Sequence, residues 1–156
     1  MTFGVASMTA PLREVALRRP GKSIVTAEPS AWNYSEHFDP SKIESEYDRF
    51  VLALENFGVK IHWIKGDDLG NADSVFAYDA SLMTPQGAIL MSPGKEKRRG
   101  EEGLHKSFYI NKEIPIIGQI DAPGTAEAGD TLWLDENTVI IGKGFRTNTL
   151  GAEQVK

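Results

Sequence analysis

Two pairs of carboxylates and two arginines stand in this chain beside turn signals and the ends of regular segments. The first acids are Asp73 and Asp79, in Asp73-Ser74-Val75-Phe76-Ala77-Tyr78-Asp79. The second are Glu127 and Asp130, in Glu127-Ala128-Gly129-Asp130. The arginines are Arg98, in Arg98-Arg99-Gly100-Glu101, and Arg146, in Arg146-Thr147-Asn148. A guanidinium is planar, permanently charged and carries five donors in a fork. Recognising one takes carboxylates set for bidentate contact. An arginine beside a helix N-terminus suits an anion such as a carboxylate. Together these residue types are what an arginine-like molecule needs. Each segment also has a plainer reading. Asp73 and Asp79 can be solvated turn acids, and Glu127 and Asp130 an acidic turn. Arg98, Arg99, Glu101 and Glu102 can be a solvated helix face with short-range ion pairs. Arg146-Thr147-Asn148 can be an ordinary helix cap.

Other chemistries find little support. The chain contains no cysteine, so disulfides, Cys-ligated zinc and a thiol nucleophile are outside its own means. His37, His62 and His105 are scattered without metal-ligand spacing. His62 alternates with Ile61 and Trp63, which reads as a structural place in a strand. No Gly-rich phosphate loop, serine elbow or zinc motif is present, so no cofactor and no metal are expected. A net charge of -5 offers no basic footprint for nucleic acid or an anionic membrane. No apolar run approaches the roughly 20 residues that span a bilayer. The first residues lack a signal-peptide pattern, and a cytoplasmic location is the default expectation.

These side chains need elements to position them. At 156 residues the chain fits one domain. Residues 1–10 are expected to be a disordered extension, with Met8 a candidate start, and residues 11–156 a single α/β domain. Leu12 to Arg18 reads as a strand, and Ile24 to Tyr34 as loop. Asp39 to Phe57 is the strongest helix. Pro40 suits its first position, Ser41 and Glu44 make a capping box, and Gly58 ends it. Ile43, Tyr47, Phe50, Val51, Leu54 and Phe57 fall on one predicted buried face. Val59 to Ile64 follows as a strand. Ser74 to Tyr78 and Gly87 to Met91 read as short strands joined through a turn at Pro85-Gln86-Gly87. Asp73 and Asp79 would then sit on one face, at opposite ends of the first of these strands. Lys95 to Phe108 reads as a helix and Ile114 to Ile120 as a strand. Asp121 to Ala128 is loop, and Thr131 to Leu134 with Thr138 to Ile141 forms a hairpin. Thr147 or Asn148 caps a helix starting near Thr149. That helix ends after barely two turns, so the chain looks cut.

In this order and spacing the motifs resemble the guanidino-group-modifying superfamily, which includes dimethylarginine dimethylaminohydrolases, arginine deiminases and amidinotransferases. Pro11-Leu12-Arg13-Glu14-Val15 is similar to the family's first strand. Asp73-Ser74-Val75-Phe76 with Asp79 resembles its substrate-binding strand. Arg98-Arg99-Gly100-Glu101 looks like its Arg-Arg-x-Glu, and Glu127-Ala128-Gly129-Asp130 its Glu/Asp-Gly-Gly-Asp. Ile141-Gly142 through Arg146-Thr147-Asn148 to Gly151 resembles its next signature. The likeness spans residues 11–156 and is nearest the dimethylarginine-hydrolase branch. Ala128 and Tyr78 depart from the usual residues.

The resemblance implies a partial pentein-type α/β propeller, roughly three of five blades, corresponding to the N-terminal half of the family. It implies that Asp79 and Glu127 hold a guanidinium and that Asp73 lines the site. Asp130 belongs to the same substrate-binding set, and Arg98 and Arg146 take an α-carboxylate. The family's attacking cysteine and its histidine acid belong to the other half, so this chain is expected to bind a guanidine without turning it over alone. The expected partners are a small guanidine or arginine-like ligand, and a second copy or a chain carrying the C-terminal half. The alternatives are a non-catalytic binding or interaction module derived from the family, and an unrelated α/β protein whose acids are surface turns.

Overall fold

The computed structural model describes residues 3–68 and 70–156. They form two compact units, one of Leu12–Phe76 and one of Ala77–Lys156 together with the N-terminal residues up to Pro11. The first two residues of the expected extension lie outside the described residues.

In the first unit, β1 (Glu14–Leu17) pairs in parallel with β2 (Lys60–Trp63). Parallel neighbours need a crossover, and α3 (Ile43–Asn56) supplies it. Its start differs from the expected capping box. Asp39 takes the cap, accepting from the Ser41 amide at 3.0 Å and the Ser41 hydroxyl at 2.6 Å, so that hydroxyl is already spent. A 3-10 turn, Pro40–Lys42, leads into the helix. At the other end Gly58 has φ of 73°. Its amide donates to the Glu55 carbonyl and the Val59 amide to that of Leu54, satisfying two otherwise open carbonyls. The predicted buried face is narrower than expected: Val51 is buried, but Phe50 is 48% and Phe57 88% exposed.

The stretch expected to be loop contains two single-turn helices, α1 (Lys22–Val25) and α2 (Pro29–Trp32). Both are too short to announce themselves by periodicity. Asp68 holds the first, accepting from the Ser23 amide at 2.8 Å.

Residues 74–78 are not a strand. Ala72–Val75 is a 3-10 turn, with the Ser74 amide donating to the Asn71 carbonyl and that of Phe76 to Asp73. Asp and Ser side chains favour such local turns over a strand. Asp73 and Asp79 therefore do not share a strand face: Asp73 sits on the 3-10 turn, and Asp79 in the turn before β3 (Ser81–Thr84).

In the second unit β3 forms a two-residue hairpin with β4 (Gly87–Leu90) around Pro85-Gln86. The Thr84 hydroxyl closes it, donating to the Gly87 carbonyl at 2.8 Å and accepting from the Gln86 and Gly87 amides. The charged segment then divides. A 3-10 turn (Glu96–Arg98) is broken at Arg99 and Gly100, where Gly100 has φ of 100°, before α4 (Glu101–Asn111) begins. α4 crosses over to β5 (Ile116–Gln119), parallel to β4. A second hairpin joins β6 (Thr131–Asp135) to β7 (Thr138–Ile141), as expected, and α5 (Thr149–Gln154) follows, capped by Asn148. Leu82, Met91, Ile120, Ala126, Ala128 and Trp133 form the core of this unit.

The described strands make three separate sheets, of two, three and two strands, in an α/β arrangement. None closes on itself. No helix among the described residues is long and apolar enough to cross a membrane.

Candidate functional site

The second unit brings Asp79, Arg98, Glu127, Asp130 and Arg146 into one cluster. The backbone sets it up. The Ala128 amide donates to the Asp79 carbonyl at 3.0 Å, so the turn before β3 lies against the segment that carries Glu127. An isolated bridge pairs Ser92 with Ala126 one residue further back. Gly94 follows, and its amide donates to Glu127 Oε1 at 3.0 Å. A Cβ on Gly94 would lie 2.6 Å from the Arg146 carbonyl oxygen, so only glycine lets these backbones approach this closely.

Arg98 is the hub. Its side chain is 3% exposed. Nε donates to Glu101 Oε1 and Oε2 at 3.0 and 3.1 Å, and Nη2 donates to Glu101 Oε2 at 2.7 Å. This is the two-pronged geometry that makes arginine–carboxylate pairs strong. Nη1 donates to Asp79 Oδ2 and stands 3.9 Å from Glu127 Oε2. One guanidinium nitrogen of the protein's own thus faces both of the acids expected to hold a guanidinium, Asp79 and Glu127. Burial would lower the proton affinity of Arg98. The Glu101 and Asp79 carboxylates outweigh it and raise the pKa above the ordinary arginine value.

Glu127 is buried, and its second cation is Arg146, whose Nη1 donates to Oε1 at 3.0 Å and Oε2 at 3.2 Å. Arg146 is the open side of the cluster, with 40% of its side chain exposed. Thr147, fully buried, ties the floor together. Its hydroxyl accepts from the Glu127 amide at 3.2 Å and donates to Asp130 Oδ2 at 2.6 Å. The cluster has four carboxylates, Asp79, Glu101, Glu127 and Asp130, against two guanidiniums. It therefore carries surplus negative charge, with Asp79 22% exposed and available to an incoming cation.

Asp73 belongs to the first unit. It is buried and accepts from the Tyr34 hydroxyl at 2.6 Å. Tyr34 stacks on Trp32 at 6.2 Å between ring centres and meets Phe38 in a tilted contact at 4.7 Å. His62, read as structural, bonds Glu14 of the neighbouring strand at 2.6 Å.

Two members of the cluster were not singled out as site residues from the sequence. Glu101 is 1% exposed rather than a solvated helix acid. Its spacing of three from Arg98 was the available signal. Thr147 was visible only as a candidate helix cap beside Arg146, a place that Asn148 takes. Among the described residues no group of three or more His, Cys, Asp or Glu could hold a metal ion.

No family model matches the chain. The N(G),N(G)-dimethylarginine dimethylaminohydrolase of Pseudomonas aeruginosa is 33% identical over 147 residues, covering 92% of this chain and 55% of the relative. The protein of the same name from Streptomyces coelicolor is 28% identical over 153 residues, covering 94% and 55%. The chain spans about half the length of these curated relatives. A solved citrulline complex of the Pseudomonas aeruginosa enzyme matches with a TM-score of 0.75 at 31% identity, covering 92% of this chain and 55% of that one. The substrate-bound N-terminal domain of a cyanobacterial arginine dihydrolase matches with a TM-score of 0.71 at 16% identity, covering 87% and 51%, a likeness of fold alone.

Proposed function

Because the chain belongs to the guanidino-group-modifying superfamily, we propose that it supplies the guanidinium-binding half of a hydrolase acting on arginine or methylarginine. The observation that carries this reading is the position of Arg98 Nη1 between Asp79 and Glu127. Two carboxylates within reach of one nitrogen are close enough together to meet the donors of a ligand's guanidinium as well. On this reading Asp79 and Glu127 hold the guanidinium, and Asp130 steadies Thr147 beneath it. Arg146, partly exposed, takes the ligand's α-carboxylate. The sequence suggested the same task for Arg98. Its burial and its engagement with Glu101 and Asp79 favour a different one, holding the two clamp carboxylates in place.

The three sheets are then three of five blades. The 156 residues contain no thiol to attack a guanidinium carbon, so the chain alone binds and does not turn over. It works with a second copy, or with a chain bearing the nucleophile and acid that these residues lack. A homodimer is favoured by the outer face of β6–β7, where Leu132 and Ile140 are cross-strand neighbours and, with Leu134, are 46%, 49% and 65% exposed.

The test is calorimetric titration of the pure chain with L-arginine, dimethylarginine and L-citrulline, with norleucine as the ligand lacking a guanidine. Binding of the first two, lost in Glu127→Gln, is the expected result. A Glu127→Gln variant that binds arginine as tightly as the wild type would overturn the clamp. Citrulline or ammonia release by the pure chain would overturn the binding-only role.

A further inference from the structure

α4 buries a polar face. Glu101, His105 and Tyr109 recur every four residues, so they lie one above another on the same side of the helix. They are 1%, 3% and 5% exposed. Ser81, 6% exposed, is the first residue of β3 and stands two positions after Asp79. Its single hydroxyl joins both lower members, 2.8 Å from His105 Nδ1 and 2.6 Å from the Tyr109 oxygen. Because that hydroxyl carries one proton, at least one of the two partners donates to it. His105 and Tyr109 also pack edge to face, at 6.2 Å between ring centres.

Burying polar groups in this way costs stability compared with apolar packing of similar shape, unless they are fully bonded. What they gain is direction. Apolar side chains allow a helix to slide or turn by small amounts, whereas hydrogen bonds fix distance and angle. Two polar ties join the same short stretch of chain to α4 and the turn that leads into it. The upper one runs from Asp79 through Arg98 to Glu101. The lower one runs from Ser81 to His105 and Tyr109. The lower tie sets the rotation of α4 about β3, and that rotation decides where Glu101 presents its carboxylate to Arg98, and hence where Arg98 meets Asp79.

We infer that Ser81, His105 and Tyr109 are positioning residues for the guanidinium clamp, acting through Glu101 and Arg98. The inference rests on the proposed role of Asp79 and Glu127 for its functional meaning, but its geometry can be read without any ligand. The variants are Ser81→Ala and Tyr109→Phe, each removing a single oxygen. Val139→Ala, which thins the packing against the core of the same unit away from this network, is the control for lost stability alone. The first readout is the Arg98 Nε–H resonance in nitrogen–proton NMR. The second is arginine affinity.

Both variants are expected to move the Arg98 resonance by more than its linewidth and to weaken L-arginine binding about five- to tenfold, in the range of one lost hydrogen bond. Val139→Ala is expected to lower the melting temperature and leave the Arg98 resonance where it is. An unmoved Arg98 resonance in both folded variants would overturn the inference, as would an equal shift in the control. If the wild-type chain binds no arginine, the clamp reading fails, and the Arg98 resonance still decides the positioning claim.

Discussion

A Cβ on Gly129 would lie 2.3 Å from Asp79 Oδ1. No other atom comes as near, the next being the Asp79 carboxyl carbon at 3.4 Å, so the collision is with the end of one side chain and not with backbone. Gly129→Ala should therefore push the Asp79 carboxylate away from Arg98 and leave the fold standing. The expected outcome is a loss of arginine binding of tenfold or more, with a melting temperature lowered by only a few degrees. Gly151→Ala is the contrast. There the new atom would stand 1.9 Å from the Thr125 carbonyl oxygen, on backbone that cannot step aside. That variant should lose stability first, seen as a lower midpoint in urea.

Arg98 is the residue whose loss the second unit should tolerate least. Removing it leaves the buried Glu101 carboxylate without its bidentate partner and Asp79 without its nearest cation. Breaking a buried pair from one side typically costs about 3–5 kcal/mol. Arg98→Ala should unfold at markedly lower urea, and Arg98→Lys should recover little, because an ammonium cannot serve Glu101 with two prongs and reach Asp79 as well. Urea denaturation of the three proteins checks this. A lysine variant as stable as the wild type would mean that charge alone, without the fork, holds the cluster.

Arg146 separates the two ends of a ligand. Its Nη1 bonds Glu127, yet its side chain is 40% exposed. If it takes an α-carboxylate, Arg146→Ala should weaken L-arginine about tenfold or more, on the scale of a charge-assisted hydrogen bond. Agmatine, which is arginine without the carboxylate, should bind no worse, because Glu127 is then relieved of one competing cation. Titration of both ligands against both proteins gives the answer. Equal losses for the two ligands would assign Arg146 to the guanidinium end.

The parts of the structure legible in the sequence were those encoded locally. α3 declared itself through Pro40, its apolar period and Gly58, and the β6–β7 hairpin through two short segments on either side of Asp135-Glu136-Asn137. Asn148 does cap α5, accepting from the Gly151 amide at 2.8 Å. What the sequence hid is not carried by the preferences of single side chains. β3 exists because Ser81–Thr84 pairs with Gly87–Leu90, and its sequence, Ser-Leu-Met-Thr, carries little strand preference of its own. Ser74 to Tyr78 reads as a strand because Val75 and Phe76 are apolar, yet Ala72–Val75 is a 3-10 turn. At the site the acids were legible by type, but Glu101 and Thr147 were not. The spacing of Glu101 from Arg98 was visible, but its burial beside Arg98, like that of Thr147 beside Asp130, is set by packing.

The buried tyrosine makes the stability of this unit depend on alkaline pH. Burial raises the Tyr109 phenol above its ordinary value, and the bond it shares with Ser81 offsets this only in part. The unfolded chain would release that proton near pH 10.0, the ordinary tyrosine value, while the folded chain still holds it. Between the unfolded and the folded pKa the native state therefore binds more protons, so stability falls as pH rises. The contribution is complete below about pH 10 and is lost as pH climbs through the raised value, at a limiting slope of about 1.4 kcal/mol per pH unit for one group. Tyr47 is raised for the same reason and works in the same window, so it must be taken apart from Tyr109. Urea midpoints measured from pH 8 to 11 should decline steeply in the wild type. In Tyr109→Phe the decline should be shallower, and shallower still when Tyr47→Phe is added. Although Tyr109→Phe starts lower at pH 8 through its lost bond to Ser81, the gap to the wild type should narrow as pH rises. Parallel curves for the two proteins would mean that Tyr109 ionises no later in the folded chain than in the unfolded one.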